Sequence, residues 1–530
     1  MRAKLVNNFL EDSARRRPDK TALVAGPQRR TYLELDAMSD ALAASLVAEG
    51  LQKGERVAVL LDNSVEAVVS IFGILKAAGV FLMVNPSTKE EKLTYILNNC
   101  RASALIVPAN KLKALSGVCS SVRSLTTLYA AGELKEGEVV PGKAVLSLSG
   151  VLGAGAPAAP ARRPIDADLA TIIYTSGSTG NPKGVMMTHL NMVCAADSIT
   201  SYLENTEDDI ILNTLPLSFD YGLYQVLMAF KVSATVILEK SFTYPYKVLN
   251  TMITERVTGF PIVPTISAIL SQMESLNGQG FDSLRYITNT ADALPLSHIE
   301  NLKKIFPGAR IFSMYGLTEC KRVAYLPPDE VGTRPASVGK AMPNTEAFIV
   351  DENGVRVGPG VIGELVVRGN HLMRGYWEMP EETAKMLRPG EYPGDTLLYT
   401  GDLFRADDDG YLYFVARKHH MIKCRGEKVS PVEVENVLYG IDDVVEAVVT
   451  GEPDPVLGEA IKAFVVLRES SALMEKDLLA YCSRHLEDHM VPQRIEFVKE
   501  LPRTASGKIH RARLGKVPAR GASGVKSGTA

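Results

Sequence analysis

Two hydrophobic periodicities alternate along the first three hundred residues. Apolar positions recur at helical spacing over Leu35–Glu49, give way to the apolar run Arg56-Val-Ala-Val-Leu-Leu61, return to helical spacing over Glu66–Ala78, and end in Val80-Phe-Leu-Met-Val84. A further helical stretch leads to Ala104-Leu-Ile-Val107. Short runs without a polar face predict strands buried on both sides, and their alternation with amphipathic helices predicts a parallel α/β sheet. The rhythm resumes at Ile210-Ile-Leu212, Thr235-Val-Ile-Leu238 and Arg285-Tyr-Ile-Thr288. Between them, the Gly-, Ala- and Pro-rich stretch 130–164 predicts an irregular connection. From about 345 the pattern changes to short strands separated by turn signals, Ala347-Phe-Ile-Val350, Asp351-Glu-Asn-Gly354 and Gly363-Glu-Leu-Val-Val-Arg368, which predicts a β-rich subdomain. After Arg417 a small α+β segment follows, with a helix over Pro431–Leu438 and strands at 444–449 and 461–467. The tail from Gly515 is rich in Gly, Ser, Ala and Lys and predicts disorder. No internal repeat is present.

Length and composition set bounds. A chain of 530 residues exceeds one compact core, so two or more domains are expected. With 46% hydrophobic and 22% charged residues and a net charge of −3, the composition is that of a globular protein and makes no case for nucleic acid or an anionic membrane as partner. The cysteines, at 100, 119, 194, 320, 424 and 482, have neither C-x-x-C nor metal-ligand spacing, which points to a reduced, cytoplasmic setting. The N-terminal residues run into Glu11-Asp12 and Arg15-Arg16-Arg17, which leaves no signal-peptide core, and no apolar run is long enough to span a bilayer.

The chemistry concentrates in Tyr174-Thr-Ser-Gly-Ser-Thr-Gly-Asn-Pro-Lys-Gly184. This run places Gly177, Gly180 and Gly184, the hydroxyls of Thr175, Ser176, Ser178 and Thr179, and Lys183 in eleven residues. Glycines let backbone N–H groups turn inward as an anion-binding nest, hydroxyls add donors, and a lysine supplies a point charge. The spacing is not that of a Walker A loop. On composition alone a Ser/Gly-rich segment reads equally well as a linker. Here the strand-like Leu169–Ile173 precedes it and Val185–Met187 follows it, which favours a tight loop between two strands.

Four further segments follow in order: Met314-Tyr-Gly-Leu-Thr-Glu319, Tyr399-Thr-Gly-Asp-Leu403, Ala416–Glu435 and Leu501-Pro-Arg-Thr-Ala-Ser-Gly-Lys-Ile-His-Arg511. Taken singly, each has a bland reading: a capping Thr beside a solvated Glu, a turn, a basic surface, an exposed lysine. Together with the loop they resemble the AMP-forming adenylating superfamily of acyl-CoA synthetases, adenylation domains and beetle luciferases, over nearly the whole chain to about residue 514. The resemblance implies a large N-terminal domain (1–416) of layered β-sheets with flanking helices and a β-rich subdomain. It further implies a small mobile α+β domain (417–514) ahead of the tail 515–530.

It also implies roles. Thr175–Gly180, Lys183 and Thr318 would hold phosphates, Gly316 would line the nucleotide, Tyr315 would stack on adenine, and Glu319, catalytic together with Thr175 and Lys508, would bind Mg²⁺, a hard cation suited to a carboxylate. Asp402 would accept hydrogen bonds from the ribose hydroxyls, Arg417 would contact the nucleotide, and Lys508 would bridge the acyl carboxylate and the α-phosphate. His419 stands at the hinge, where relatives usually carry Asp or Lys. Gly426 would leave a pantetheine tunnel unblocked. Phe219, Asp220, Pro264, Asn289 and Thr290 would form the acyl pocket.

The implied activity is an ATP-dependent acid–thiol ligase with CoA as acceptor, and a homodimer is compatible with it. An amino-acid reading stands beside this one. Asp220 follows Phe219 at the position where amino-acid-activating relatives hold an α-ammonium group, which would make a carrier-protein pantetheine the acceptor. The segments Val429-Ser-Pro-Val-Glu-Val-Glu435 and Gly507-Lys-Ile-His-Arg511 lean toward acyl-CoA ligases, and Gly259–Thr265 offers the pocket no second charge. A non-catalytic nucleotide sensor would be expected to lose one of Lys508, Glu319 or Asp402, and all three are present. Fatty acyl-AMP transfer to a carrier protein, lactone- or amide-forming chemistry and a luciferase-like oxidation are further options within the resemblance.

Overall fold

The computed structural model describes residues 5–516 except 136–138, 156–162, 176–181, 274–275, 277–279, 291–293, 419, 425–426, 455–456 and 505–508. Its largest sheet has nine strands, in the order Lys340–Ala341, Ala324–Leu326, Arg310–Tyr315, Tyr286–Asn289, Gly259–Ile262, Ile210–Asn213, Thr235–Leu238, Thr21–Ala25 and Gln28–Thr31. From Arg310–Tyr315 to Thr21–Ala25 neighbouring strands run parallel. Ile262, Asn289 and Ser313 lie in register. The segments that leave these strands, at Pro264, Thr290 and Tyr315–Glu319, therefore emerge at the same carboxyl edge, where open parallel sheets place their ligands.

A second sheet of eight strands runs Gly375–Tyr376, Lys183–Thr188, Leu169–Thr175, Val80–Met83, Arg56–Val59, Ala102–Pro108, Thr127–Ala131 and Ala144–Ser147. One continuous core joins both sheets. Two helices at its centre, Val65–Lys76 and Asp220–Val232, are buried almost all around, as their sequences require, and meet where Phe72 stacks on Phe230 at 5.4 Å between ring centroids. Thr31 and Thr188 begin their helices with reciprocal capping boxes to Glu34 and Asn191.

The expectation of an irregular connection over 130–164 needs correction. Ala144–Ser147 is an edge strand parallel to Thr127–Ala131, and the Ser147 hydroxyl accepts from Gly150 N to start the helix Leu148–Gly153. The strand is partly exposed, so it lacks the apolar run by which buried strands announce themselves.

A third sheet gathers Glu346–Val350, Gly363–Arg368, Thr396–Ala406, Leu387–Pro389 and Leu412–Arg417. A fourth, from Ile422–Cys424 to Arg494–Phe497, has its own core around Val434, Leu438, Val449 and Leu478. It meets the main body through a small cluster of Ala268 with Val445, Val448, Phe464 and Leu501. Arg503 Nη1 donates to Thr265 Oγ1 at 2.6 Å across the same contact, and Ser430 Oγ donates to Val415 O at 2.6 Å.

Three histidines are buried as neutral rings. His189 Nδ1 accepts from Val6 N at 3.1 Å, His298 Nδ1 meets Ser267 Oγ at 2.9 Å, and His371 lies against the Arg322 backbone. Burial lowers each to about 4, from an ordinary 6.5. In the unfolded chain these rings take a proton near their ordinary value, whereas folded they refuse it until about pH 4. The stability they contribute is therefore complete above about pH 6.5 and drains away as pH falls toward 4, at about 1.4 kcal/mol per histidine per pH unit. The urea midpoint is expected to drop between about pH 7.5 and about pH 5.5. His189→Gln should flatten that drop, which a denaturation series at the two pH values measures directly.

Candidate active site

The strands Leu169–Thr175 and Lys183–Thr188 pair antiparallel with Thr175 opposite Lys183, so the two strands expected to flank the Ser/Gly/Thr segment are present. Ser176, Gly177, Ser178, Thr179 and Gly180 lie outside the described residues. At the loop's base Tyr174 Oη donates to Asn99 Oδ1 at 2.5 Å. A Cβ on Gly184 would sit 2.7 Å from Ile172 Cγ2, so the third glycine serves packing. Lys183 Nζ lies 2.5 Å from Glu382 Oε2 and 5.3 Å from the centre of the Tyr376 ring. The Lys183 and Lys385 ammonium groups hold the Glu382 carboxyl down at about 2.

Tyr315 ends its strand at the carboxyl edge of the large sheet and packs against Phe404 and Phe414 of the third sheet, at 4.8 and 6.5 Å between centroids. Its hydroxyl donates to Asp402 Oδ2 at 2.6 Å. Burial, with the adjacent Asp402 carboxylate, pushes the phenol well above its usual range, so it stays a donor. Asp402 is buried and follows Gly401, whose φ of +72° suits a residue without a Cβ. Arg417 stands opposite Asp402 on the paired strand, with Nε 3.6 Å from Oδ1. Three residues far apart in sequence thus converge where the resemblance places a nucleoside.

Gly316 turns the chain under Tyr315, and a Cβ there would lie 2.2 Å from Lys321 O. Thr318 is half-buried. Glu319 accepts from Tyr376 Oη at 2.7 Å through Oε1, while its backbone oxygen accepts from Met373 N at 2.7 Å. Tyr376 therefore links Glu319 to the base of the Ser/Gly/Thr loop. Among the described residues no group of three or more His, Cys, Asp and Glu side chains forms a metal cage. A single carboxylate with a second oxygen beyond its Tyr376 bond fits Mg²⁺ of the kind held mostly by phosphate oxygens and water.

The residues expected to form the acyl pocket gather around the helix Asp220–Val232. Phe219 precedes its first turn and meets Tyr221 edge to face at 6.1 Å. Tyr221 Oη reaches Thr288 Oγ1 at 2.6 Å. Asp220 Oδ2 lies 3.1 Å from Lys321 Nζ, with both side chains buried, and the lysine also lies 4.3 Å from the centre of the Tyr224 ring. Lys321 takes a left-handed φ of +66°, a conformation that costs a non-glycine residue about 1 kcal/mol or more. Next to it, Arg322 Nη1 donates to Thr290 Oγ1 at 2.6 Å, and its guanidinium lies 5.3 Å from the Tyr221 ring centre. Asn289 is buried at the end of its strand, and Pro264 opens the helix Pro264–Ser271.

His419, Gly426 and Lys508 lie outside the described residues. Ile509 pairs with Arg503, the residue that reaches Thr265, so a neighbour of Lys508 is tied to the start of the helix Pro264–Ser271. Tyr376, Lys321 and Arg322 are the site residues that sequence reasoning missed. The available signal was the pair of cations directly after Glu319 and Cys320, followed by the apolar strand residues Val323-Ala-Tyr-Leu326.

The AMP-binding enzyme family model matches residues 10–377, and the AMP-binding enzyme C-terminal domain model matches 433–508. The chain belongs to the AMP-binding enzyme family. It is 33% identical to a long-chain-fatty-acid–CoA ligase of Bacillus subtilis (strain 168), over 96% of this chain and 94% of the relative. It is 30% identical to bacitracin synthase 1 of Bacillus licheniformis over 96% of this chain but 9% of that protein. Among solved structures, the anthranilate CoA ligase AuaEII in complex with anthranoyl-AMP superposes with a TM-score of 0.89 at 29% identity, covering 97% of each chain. No helix among the described residues is long and apolar enough to cross a membrane.

Replacing Gly316 by Ala should displace the Lys321 backbone and with it the seat of Tyr315. A loss of about 2 kcal/mol in stability is expected, together with a raised KM for ATP. Thermal unfolding and ATP titration of the initial rate measure the two effects.

Proposed function

We propose that this enzyme activates a carboxylic acid as its acyl-adenylate and passes the acyl group to CoA. The nucleoside would sit on Tyr315, with its ribose hydroxyls donating to Asp402 and Arg417 beside it. The loop from Thr175 to Lys183 would cradle the β- and γ-phosphates. Mg²⁺ on Glu319, when bound, would supply charge neutralisation at the phosphates. The acid's carboxylate oxygen attacks the α-phosphorus in line and pyrophosphate departs, so the protein's task is positioning and neutralisation. Lys508 would draw the two anions together, and the Arg503–Thr265 contact supports its approach from the acyl wall. For the second half-reaction, the segment 417–514 would turn about His419 and admit the thiol past Gly426. We assign 1–416 to the large domain and 515–530 to a tail, and place the enzyme in the cytoplasm.

The observation that carries the choice of acid is the Lys321–Asp220 pair. An amino-acid substrate needs a carboxylate for its ammonium group, and here a side-chain ammonium stands 3.1 Å from that carboxylate. Displacing it would strand a buried cation. The amino-acid reading draws on Phe219-Asp220 and on the likeness to bacitracin synthase 1, and would make a carrier-protein pantetheine the acceptor.

Pyrophosphate release across fatty, aryl and amino acids, with and without CoA, separates the two. Fatty or aryl acids consuming CoA are the expected result, and pyrophosphate exchange driven by an amino acid, indifferent to CoA, would reverse it. Lys508→Ala should lower adenylation by about 100-fold or more. The same variant should still convert a supplied acyl-adenylate to thioester, which a CoA-consumption assay follows.

A further inference from the structure

The acyl side holds more positive charge than its described partners neutralise. Lys321 is matched by Asp220. Arg322 is only 2% exposed, yet among the described residues no carboxylate stands within ion-pair distance of it. Its partners are neutral: the Thr290 hydroxyl at 2.6 Å, the Tyr202 hydroxyl and the face of Tyr221. Its Nε is buried with no hydrogen-bond acceptor. A guanidinium cannot shed its proton at neutral pH, so it cannot escape the cost of burial by becoming neutral. Hydroxyls and a ring solvate such a charge in part. An anion on the Nε edge would complete it, through the side-on pair of donors that fits a carboxylate.

We infer that the acid activated here carries a second carboxylate, which the Arg322 guanidinium binds within the acyl site. This rests on the adenylation reading above and adds the substrate class to it. Location supports it, because Arg322 is held by Thr290 and Tyr221, on the acyl side of Tyr315, with its Cα packed under Gly316. The neighbouring Lys321–Asp220 pair is already balanced, so the second anion is directed to Arg322 rather than to the lysine. One carboxylate goes to the α-phosphorus and forms the mixed anhydride, while the other stays ionised on the arginine and orients the chain. A monocarboxylic acid of the same length would leave the arginine uncompensated, the circumstance in which a polar site discriminates most strongly against an analogue that lacks the polar group.

The test compares kcat/KM for pyrophosphate release on matched acids: hexanoic against adipic, and benzoic against phthalic. The parent enzyme is expected to prefer the dicarboxylic member of at least one pair by about 100-fold. Arg322→Met should collapse that ratio while leaving KM for ATP unchanged, and Arg322→Lys should keep part of it. A ratio near one in the parent enzyme overturns the proposal without any variant being needed. A preference that survives Arg322→Met overturns the role of the arginine. Monocarboxylic acids turning over as fast as their dicarboxylic counterparts would sink this inference and leave the adenylation reading intact. Pyrophosphate release from no carboxylic acid at all would overturn that reading instead, and this inference with it.

Discussion

The buried pairing of Lys321 with Asp220 ties together the two halves of the site. Asp220 belongs to the first turn of a helix sealed inside the main core, whereas Lys321 belongs to the turn that follows Tyr315–Glu319 at the edge of the large sheet. Their contact fixes where Tyr315–Glu319 stands relative to the first turn of the helix Asp220–Val232, which on the proposed reading is the spacing an in-line attack depends on. A buried ion pair is weak evidence for stability, since hydrophobic residues of similar volume often serve as well. Its effect here is geometric. Lys321 holds a strained left-handed backbone to reach Asp220, and Gly316 leaves room for the Lys321 carbonyl that this backbone presents. Strain of this kind persists where the surroundings over-determine it, as the Tyr224 ring, the Asp220 carboxylate and the packing under Gly316 do together.

A second joint lies between the large sheet and the third sheet. Tyr315 of the former donates to Asp402 of the latter, and Phe404 and Phe414 close over the tyrosine. One Asp402 oxygen is occupied by Tyr315 and the other faces Arg417, so the carboxylate is oriented before any ribose arrives. Orientation fixed in advance reduces the ordering cost of binding. Arg417 ends its strand two residues before His419, so on the proposed reading the residues around Asp402 adjoin the segment at which the small domain would turn.

Much of this was legible in the chain, and the failures share a physical cause. Strands such as Arg56–Val59 and Thr235–Leu238 are buried on both faces and therefore stand out as apolar runs. Ala144–Ser147 lies at an edge, partly exposed, and left no such signature. Tyr315, Asp402 and Arg417, which the structure brings together, each sit in a short motif with its own turn or strand context. Arg322 and Lys321 were not legible, because a charged pair in sequence resembles surface, and only the tertiary contacts reveal that both are buried. Gly259–Thr265 carries no charge, as its sequence reads, and Lys321 and Arg322 stand on the segment after Glu319.

Tyr376 shows how a residue without a motif of its own becomes central. It lies on a two-residue strand paired to Lys183–Thr188, which places its ring beside Lys183 and its hydroxyl on Glu319. Lys183 in turn rests on Glu382, whose helix begins four residues beyond Tyr376. The lysine assigned to the phosphates is thus satisfied by a carboxylate, and the glutamate assigned to the metal by a phenol. Both are exchangeable partnerships: a triphosphate carries more charge than Glu382 offers Lys183, and a divalent cation more than a phenol offers Glu319. Arrival of the nucleotide with its metal would release Tyr376 and Glu382 together, because both contacts converge on one short strand and the helix behind it. Lys183 and Glu319 are thereby each held in place by a side chain of one short strand or of the helix behind it.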